Sequence, residues 1–316
     1  VNNFLVLVLI LAVLVGVAIL VWAPPQAAAP ENRCPSWSPD GRRIAFSSSR
    51  DQTSRDKNWE IYLLDVETLE ATKVTDNRSI DWSPTWSPAG DLIAFVSGRD
   101  ARTKTASDIY TIHPLDRNVT RLTYRPRGWD GQPAWTSGSL AGEPLAGERS
   151  DSIVFASDRD GNEEIYSLSL EDYSVTRLTY REKATDRQPT PSPDGSRIAF
   201  QSFVDSNWEI FVMDSDGRNV KRLTFNPAAD EHPAWSPDGN KIAFTTDRDG
   251  NSEIYTMDVN GDNRRNLSAN PAADQWPTWS PDSSMIAFQS NRTGAMEIWR
   301  MSADDGTGQK QLTGLE

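Results

Sequence analysis

The chain has 316 residues, a formal net charge of −13 and a sequence pI near 4.7, a balance that repels phosphate and argues against a nucleic-acid partner. Its single cysteine, Cys34, excludes an internal disulfide, and two histidines leave little for zinc coordination or a histidine-based triad.

From Phe4 to Trp22 nineteen residues carry no charge. As a helix they would span roughly 29 Å, close to the hydrocarbon thickness of a bilayer, with Trp22 at the interface. The segment reads as a single N-terminal transmembrane helix over 4–22. A cleaved signal peptide ending near Ala27-Ala28-Ala29 is the competing reading, although its apolar region usually runs only about 7–15 residues. Residues 23–33 form a Pro/Ala-rich linker stiffened by Pro24, Pro25 and Pro30, reaching at most roughly 34 Å. The acidic remainder, 34–316, is then expected outside the cytoplasm, membrane-anchored in the periplasm or at the cell exterior.

That remainder is one motif written six times. Pro233 to Asp274 holds four short apolar runs (AWS, KIAFTT, SEIYTMD, RNLS) separated by the turn-forming clusters SPDG, DRDGN and NGDN. Its opening proline recurs as Pro35, Pro84, Pro133, Pro189 and Pro277, at intervals of 49, 49, 56, 44 and 44 residues. Four strands per copy at this period predict an all-β, six-bladed β-propeller of four-stranded antiparallel blades. The second strand supports a closed ring, since Ile44-Ala45-Phe46 and its equivalents are apolar on both faces. A sandwich is the alternative, but sandwiches do not usually repeat the same four strands six times.

With strands lettered A to D in each blade, the starts of A, the B–C hairpins and the exits of D share one face, which the linker joins. The SPDG turns at Ser38, Ser192 and Ser236 fit type I turns on the opposite face. B–C loops are longer in the first two blades, and an insertion around Ser137 to Arg149 lies between strands A and B of the third.

The text WSPDGxxIAF followed by EIY and LT resembles the WD-like repeat of TolB-type six-bladed propellers, a bacterial periplasmic family, over most of Pro35 to Thr313. Two departures stand out. In place of the N-terminal α/β domain of TolB stands the hydrophobic segment, and the fourth copy has Pro191 where the others have Trp37, Trp86, Trp135, Trp235 and Trp279. The resemblance implies binding of a protein or peptide at the mouth of the central channel, without chemistry or cofactor.

Three residues before each opening proline stand Asn32, Asp81, Asp130, Asp186, Asp230 and Asp274. They are expected where the D–A loops converge on the axis, either capping their own turns or forming an anionic ring for a cation or basic peptide. The pairs that follow diverge: Arg33-Cys34, Trp82-Ser83, Gly131-Gln132, Arg187-Gln188, Glu231-His232 and Gln275-Trp276. A repeated frame with variable rim residues can encode specificity. Trp82, Trp129, Trp276 and His232 are expected near the channel mouth, the tryptophans either packing between loops or serving as anchors.

An arginine recurs four residues after the strand B Phe, as Arg50, Arg99, Arg159, Arg248 and Arg292, with Val204 the exception. Across the hairpin lie Glu60, Asp108, Glu164, Glu253 and Glu297, which makes internal ion pairs the expectation and a surface arginine cluster for acidic ligands the alternative. The DRDGN segments at Asp158 and Asp247 superficially resemble calcium loops, but Gly stands fourth rather than sixth, and hairpin turns explain them. No G-x-S-x-G elbow or Cys/His cluster offers a catalytic or zinc site. The expected function is a membrane-tethered, protein-binding propeller acting as an accessory or scaffold subunit of a membrane complex. The alternatives are a hydrolase or lactonase with an axial metal, and a sugar- or peptide-binding module.

Overall fold

The computed structural model describes residues 29–51, 58–103, 105–125, 127–136 and 152–315. Among them, six four-stranded antiparallel sheets follow one another along the chain, each ordered A-B-C-D. The expected membrane helix over 4–22, and the blade 3 insertion, lie outside the described residues. Among the described residues no helix is long and apolar enough to cross a membrane. The first strand begins at Asn32, inside the segment expected as linker.

The innermost strands are Asn32–Trp37, Asp81–Trp86, Asp130–Thr136, Thr185–Pro191, Asp230–Trp235 and Asp274–Trp279. Each touches the next around the axis, and the sixth touches the first. The two-faced apolar character of strand B explains the ring. Ile93 and Phe95 of blade 2 pack back onto Ala45, Ile61 and Leu63 of blade 1, while Ala94 packs forward against Trp135, Ile153 and Phe155 of blade 3. An apolar cluster of this kind fills every one of the six interfaces. Burying a side chain such as Phe or Ile contributes about 1.5–3 kcal/mol, so a blade with an uncovered face would forfeit several such terms.

On the face away from the strand A starts, the SPDG turns hold themselves together. Ser236 Oγ accepts the Lys241 amide at 2.9 Å and donates to Asp238 Oδ1 at 2.5 Å, while Gly239, at φ +74°, donates its amide to the Ser236 carbonyl. The blade 4 B–C hairpin differs from the rest. Its strands extend over Arg197–Val204 and Asn207–Asp214, and Asp205 and Ser206 both take positive φ in a two-residue turn.

Among the described residues the ring closes without exchanging a strand, because blade 1 is built from the first four strands and blade 6 from the last four. Side-by-side packing joins them. Ile44, Phe46, Tyr62 and Leu64 meet Ala287, Ile298 and Leu312. Asn32 donates its amide to the Met296 carbonyl at 2.7 Å and its Nδ2 to Glu297 Oε2 at 2.7 Å, and the Cys34 amide reaches Gln289 Oε1 at 3.1 Å. Asn32→Ala removes one buried donor from Glu297 and is expected to cost about 1–2 kcal/mol in urea unfolding. An unshifted midpoint would mean that apolar packing alone holds the seam.

Candidate functional site at the channel mouth

The five aspartates begin their A strands, or stand one residue in, with no exposed surface. They do not form an open anionic ring. Asp81 pairs with Arg99 at 2.8 Å, Asp130 with Arg159 at 3.1 Å, Asp230 with Arg248 at 2.9 Å and Asp274 with Arg292 at 2.6 Å. The recurring arginine thus serves the acid of strand A rather than that of strand C. Each guanidinium also lies over two aromatic rings of its own blade, as Arg99 does 5.2 Å from Phe95 and 5.0 Å from Tyr110. Blade 4, where the tight hairpin ends in Val204, takes its arginine from elsewhere. Arg181 enters from the preceding D–A loop, stacks 4.3 Å from Phe211 and stands 3.7 Å from Asp186.

The strand C acids do the capping. Glu60 accepts Thr75 Oγ1 at 2.6 Å and the Asn77 amide at 2.9 Å, and Glu164 and Asp108 likewise accept the amides of Arg181 and Arg125. The DRDGN segments are equally occupied: Asp160 accepts the Tyr166 hydroxyl at 2.6 Å, and Asn162 Nδ2 donates to Glu164 and to the carbonyls of Arg181 and Ala184.

Each strand A carries a bulge just after its aspartate, or after Asn32 in blade 1, seen as a break in register with strand B. The residue before each proline there has positive φ: Cys34 53°, Ser83 54°, Gln132 55°, Gln188 51°, His232 53° and Trp276 57°. Non-glycine residues in this region cost on the order of 1–2 kcal/mol each. Strand B side chains of the preceding blade hold the bulges by accepting their amides: Ser47 from Ser83, Gln201 from His232, Thr245 from Trp276 and Gln289 from Cys34. Where blade 3 offers only Ala156 in that strand, Gln132 Oε1 accepts the Gln188 amide at 2.9 Å.

These bulges aim side chains at the axis. The six prolines and Cys34, Ser83, Gln188, His232 and Trp276 line a central channel of about 150 Å³, and none of the five aspartates reaches it. His232 and Trp276 stack with ring centroids 4.2 Å apart. Burial pulls the His232 imidazole down to about 3, so it is neutral at physiological pH. By surface area the ring is only partly covered, its open edge facing the channel, but protein crowds its remaining sides and withholds solvation.

Above the channel the partly exposed mouth mixes cations, acids and indoles. Arg187 pairs with Glu163 and lies 5.8 Å from the Trp129 ring and 5.7 Å from Trp208. Trp129 can lie across Gly131 because any Cβ there would meet the indole at 2.4 Å. Arg33 pairs with Glu31 and lies 5.5 Å from Trp59. Burial and the nearby Asp247 raise Glu231, against the pull of Arg187. Trp82 is half-buried in the same innermost layer. Sequence reasoning missed Trp59, Trp208 and Arg181, since nothing in the repeat marks residues that cross from one blade to its neighbour.

Arg292 is 10% exposed, and Arg292→Ala would strand the fully buried Asp274 carboxylate. A loss of about 3 kcal/mol in urea unfolding is expected, partly restored by adding Asp274→Asn; a loss below about 1 kcal/mol would refute the pairing. Burial pushes Asp186 up to about 6 against the Ser202 hydroxyl and Arg181. Its folded form therefore keeps a proton that the unfolded form releases near pH 4. The resulting stability is full below that pH and fades as pH rises through about 6. Asp186→Asn removes this dependence, so its Tm relative to wild type is expected to be higher at pH ~7.5 than at pH ~4. An equal difference at both pH values would contradict it.

Comparison with known proteins agrees with the architecture. A curated TolB homologue of Chlorobium luteolum is 35% identical over 79 residues, 24% of this chain and 18% of its own length, so the chain spans under a fifth of that relative. A solved structure assigned as TolB from Agrobacterium tumefaciens superposes with a TM-score of 0.62 at 24% identity, covering 80% of this chain and 87% of the other. TolB from Acinetobacter baumannii gives 0.63 at 22% identity, covering 88% and 61%. The profile of the TolB beta propeller domain, PD40, matches residues 26–141, 183–265 and 231–314. With most of its length so matched and six blades observed, the chain belongs to the TolB beta propeller domain family.

Proposed function

We propose that this chain is a protein-binding propeller that holds a polypeptide partner over the channel mouth, on the face where the A strands begin. In this reading it is an accessory or scaffold subunit of a membrane complex and not an enzyme. It works outside the cytoplasm, in the periplasm or at the cell surface, held close to the bilayer by residues 4–22. The observation that carries the reading is the contrast between frame and rim. Beneath, five of the six blades repeat a buried aspartate paired with an arginine that lies over an aromatic ring; above, the mouth differs from blade to blade and gathers Trp82, Trp129, Trp59, Trp208, Arg33, Arg187 and Glu231.

Half-exposed indoles and arginines are the side chains that most often anchor protein interfaces. The aspartates enter only indirectly: they fix strand A, from which the rim residues project. A nearby bilayer would present any membrane-bound partner to this face at high local concentration. A photo-crosslinking residue in place of Trp82 is expected to give a discrete protein adduct in native membranes, whereas one at Asp238, in an opposite-face turn, is not. Adducts from Asp238 alone, or from neither site, would reject the proposal.

A further inference from the structure

The channel beneath the mouth has a chemistry of its own. Its lining holds prolines, Ser36, Ser83, Thr85, Thr190 and Thr278 together with Cys34, Gln188, His232 and Trp276, and no charged side chain. Gln188 Nε2 and His232 Nδ1 are shut off from solvent and have no hydrogen-bond partner in the protein. Leaving such groups unpaired costs about 1–3 kcal/mol each. They stand in adjacent blades on the same ring of bulges, with the Trp276 indole stacked on the imidazole in the next blade. Rotation about the last side-chain torsion, which is soft for an amide or imidazole, turns either nitrogen towards the axis.

We infer that the channel binds an uncharged planar group with a hydrogen-bonding edge, satisfied by Gln188 and His232 and flanked by Trp276. Size supports this, since about 150 Å³ matches an engineered cavity that admits a benzene ring. Charge supports it further. A carboxylate or ammonium entering the channel would shed water without meeting an opposite charge. Ions are met instead at the mouth, by Arg33, Arg187 and Glu231. The group has two sources, a free small molecule or a side chain presented by a bound polypeptide, and the inference stands whether or not a protein docks above.

Benzamide, benzoate and benzamidine share one shape and differ in charge, which makes them suitable probes. The full chain labelled with 5-fluorotryptophan, with the Trp276 resonance assigned through Trp276→Phe, would be titrated with each by 19F NMR. Benzamide is expected to shift that resonance saturably, with benzoate and benzamidine at least about tenfold weaker. Gln188→Ala and His232→Phe should each weaken benzamide by about three- to tenfold in a variant whose Tm is no lower than that of the wild type. N-acetyl-tyrosinamide separates the sources: binding of benzamide alone points to a free ligand, binding of the peptide analogue to a presented side chain. Equal responses to all three charge forms, no saturable shift with any probe, or undiminished benzamide binding in both folded variants would overturn the inference.

Discussion

Everything in this molecule follows from sheets that are apolar on both faces. A strand reading Ile-Ala-Phe cannot leave either side in water, so each sheet needs a neighbour on each side, and only a closed circle supplies that to every member. The large residues, Ile and Phe, point one way around the circle and the small Ala the other. Each interface therefore joins a bulky surface to a shallow one, and the same joint is made between blades 6 and 1 as between blades 1 and 2. A closing strand borrowed from the other end of the chain is unnecessary when every joint is alike.

The circle places six A strands around an axis, where crowding becomes the next problem. Six bulges relieve it, and at five of them the conformational cost is met by a hydrogen bond from the preceding blade. Those bonds tie the shape of each axial residue to its neighbour, as the exchange of roles between Ala156 and Gln132 illustrates. Buried Asp–Arg pairs just outside the bulges hold the strand starts in place. They are costly to desolvate and costlier to break, so they act as fasteners rather than as a source of net stability. Position is what they provide, and the rim residues depend on it.

Much of this was legible in the residues. Blade number, strand order, the sorting of turns by face and the location of Trp276 and His232 near the axis follow from the period and the turn chemistry. The role of the acids did not. An aspartate and a glutamate at either end of a hairpin, with one arginine between them, permit two pairings, and only strand geometry selects the aspartate. The bulges were equally hidden, since Cys, Ser, Gln, His and Trp carry none of the Gly or Asn preference that normally marks positive φ. Arg181 escaped notice because its substitution for the missing arginine of blade 4 runs between blades, whereas the repeat is read within them. The uncharged channel overturns the acidic mouth that five aligned aspartates suggest: alignment in sequence placed them together, and burial took them out of view.

The seam carries a last implication. Because, among the described residues, no sheet is completed by a strand from the far end of the chain, every blade is one uninterrupted stretch, and successive copies begin 44 to 56 residues apart. A gene encoding such units can gain or lose one by in-frame duplication or excision without orphaning part of another. The same modularity means that new ends could be opened at any D–A loop by circular permutation, leaving the strands of every blade intact.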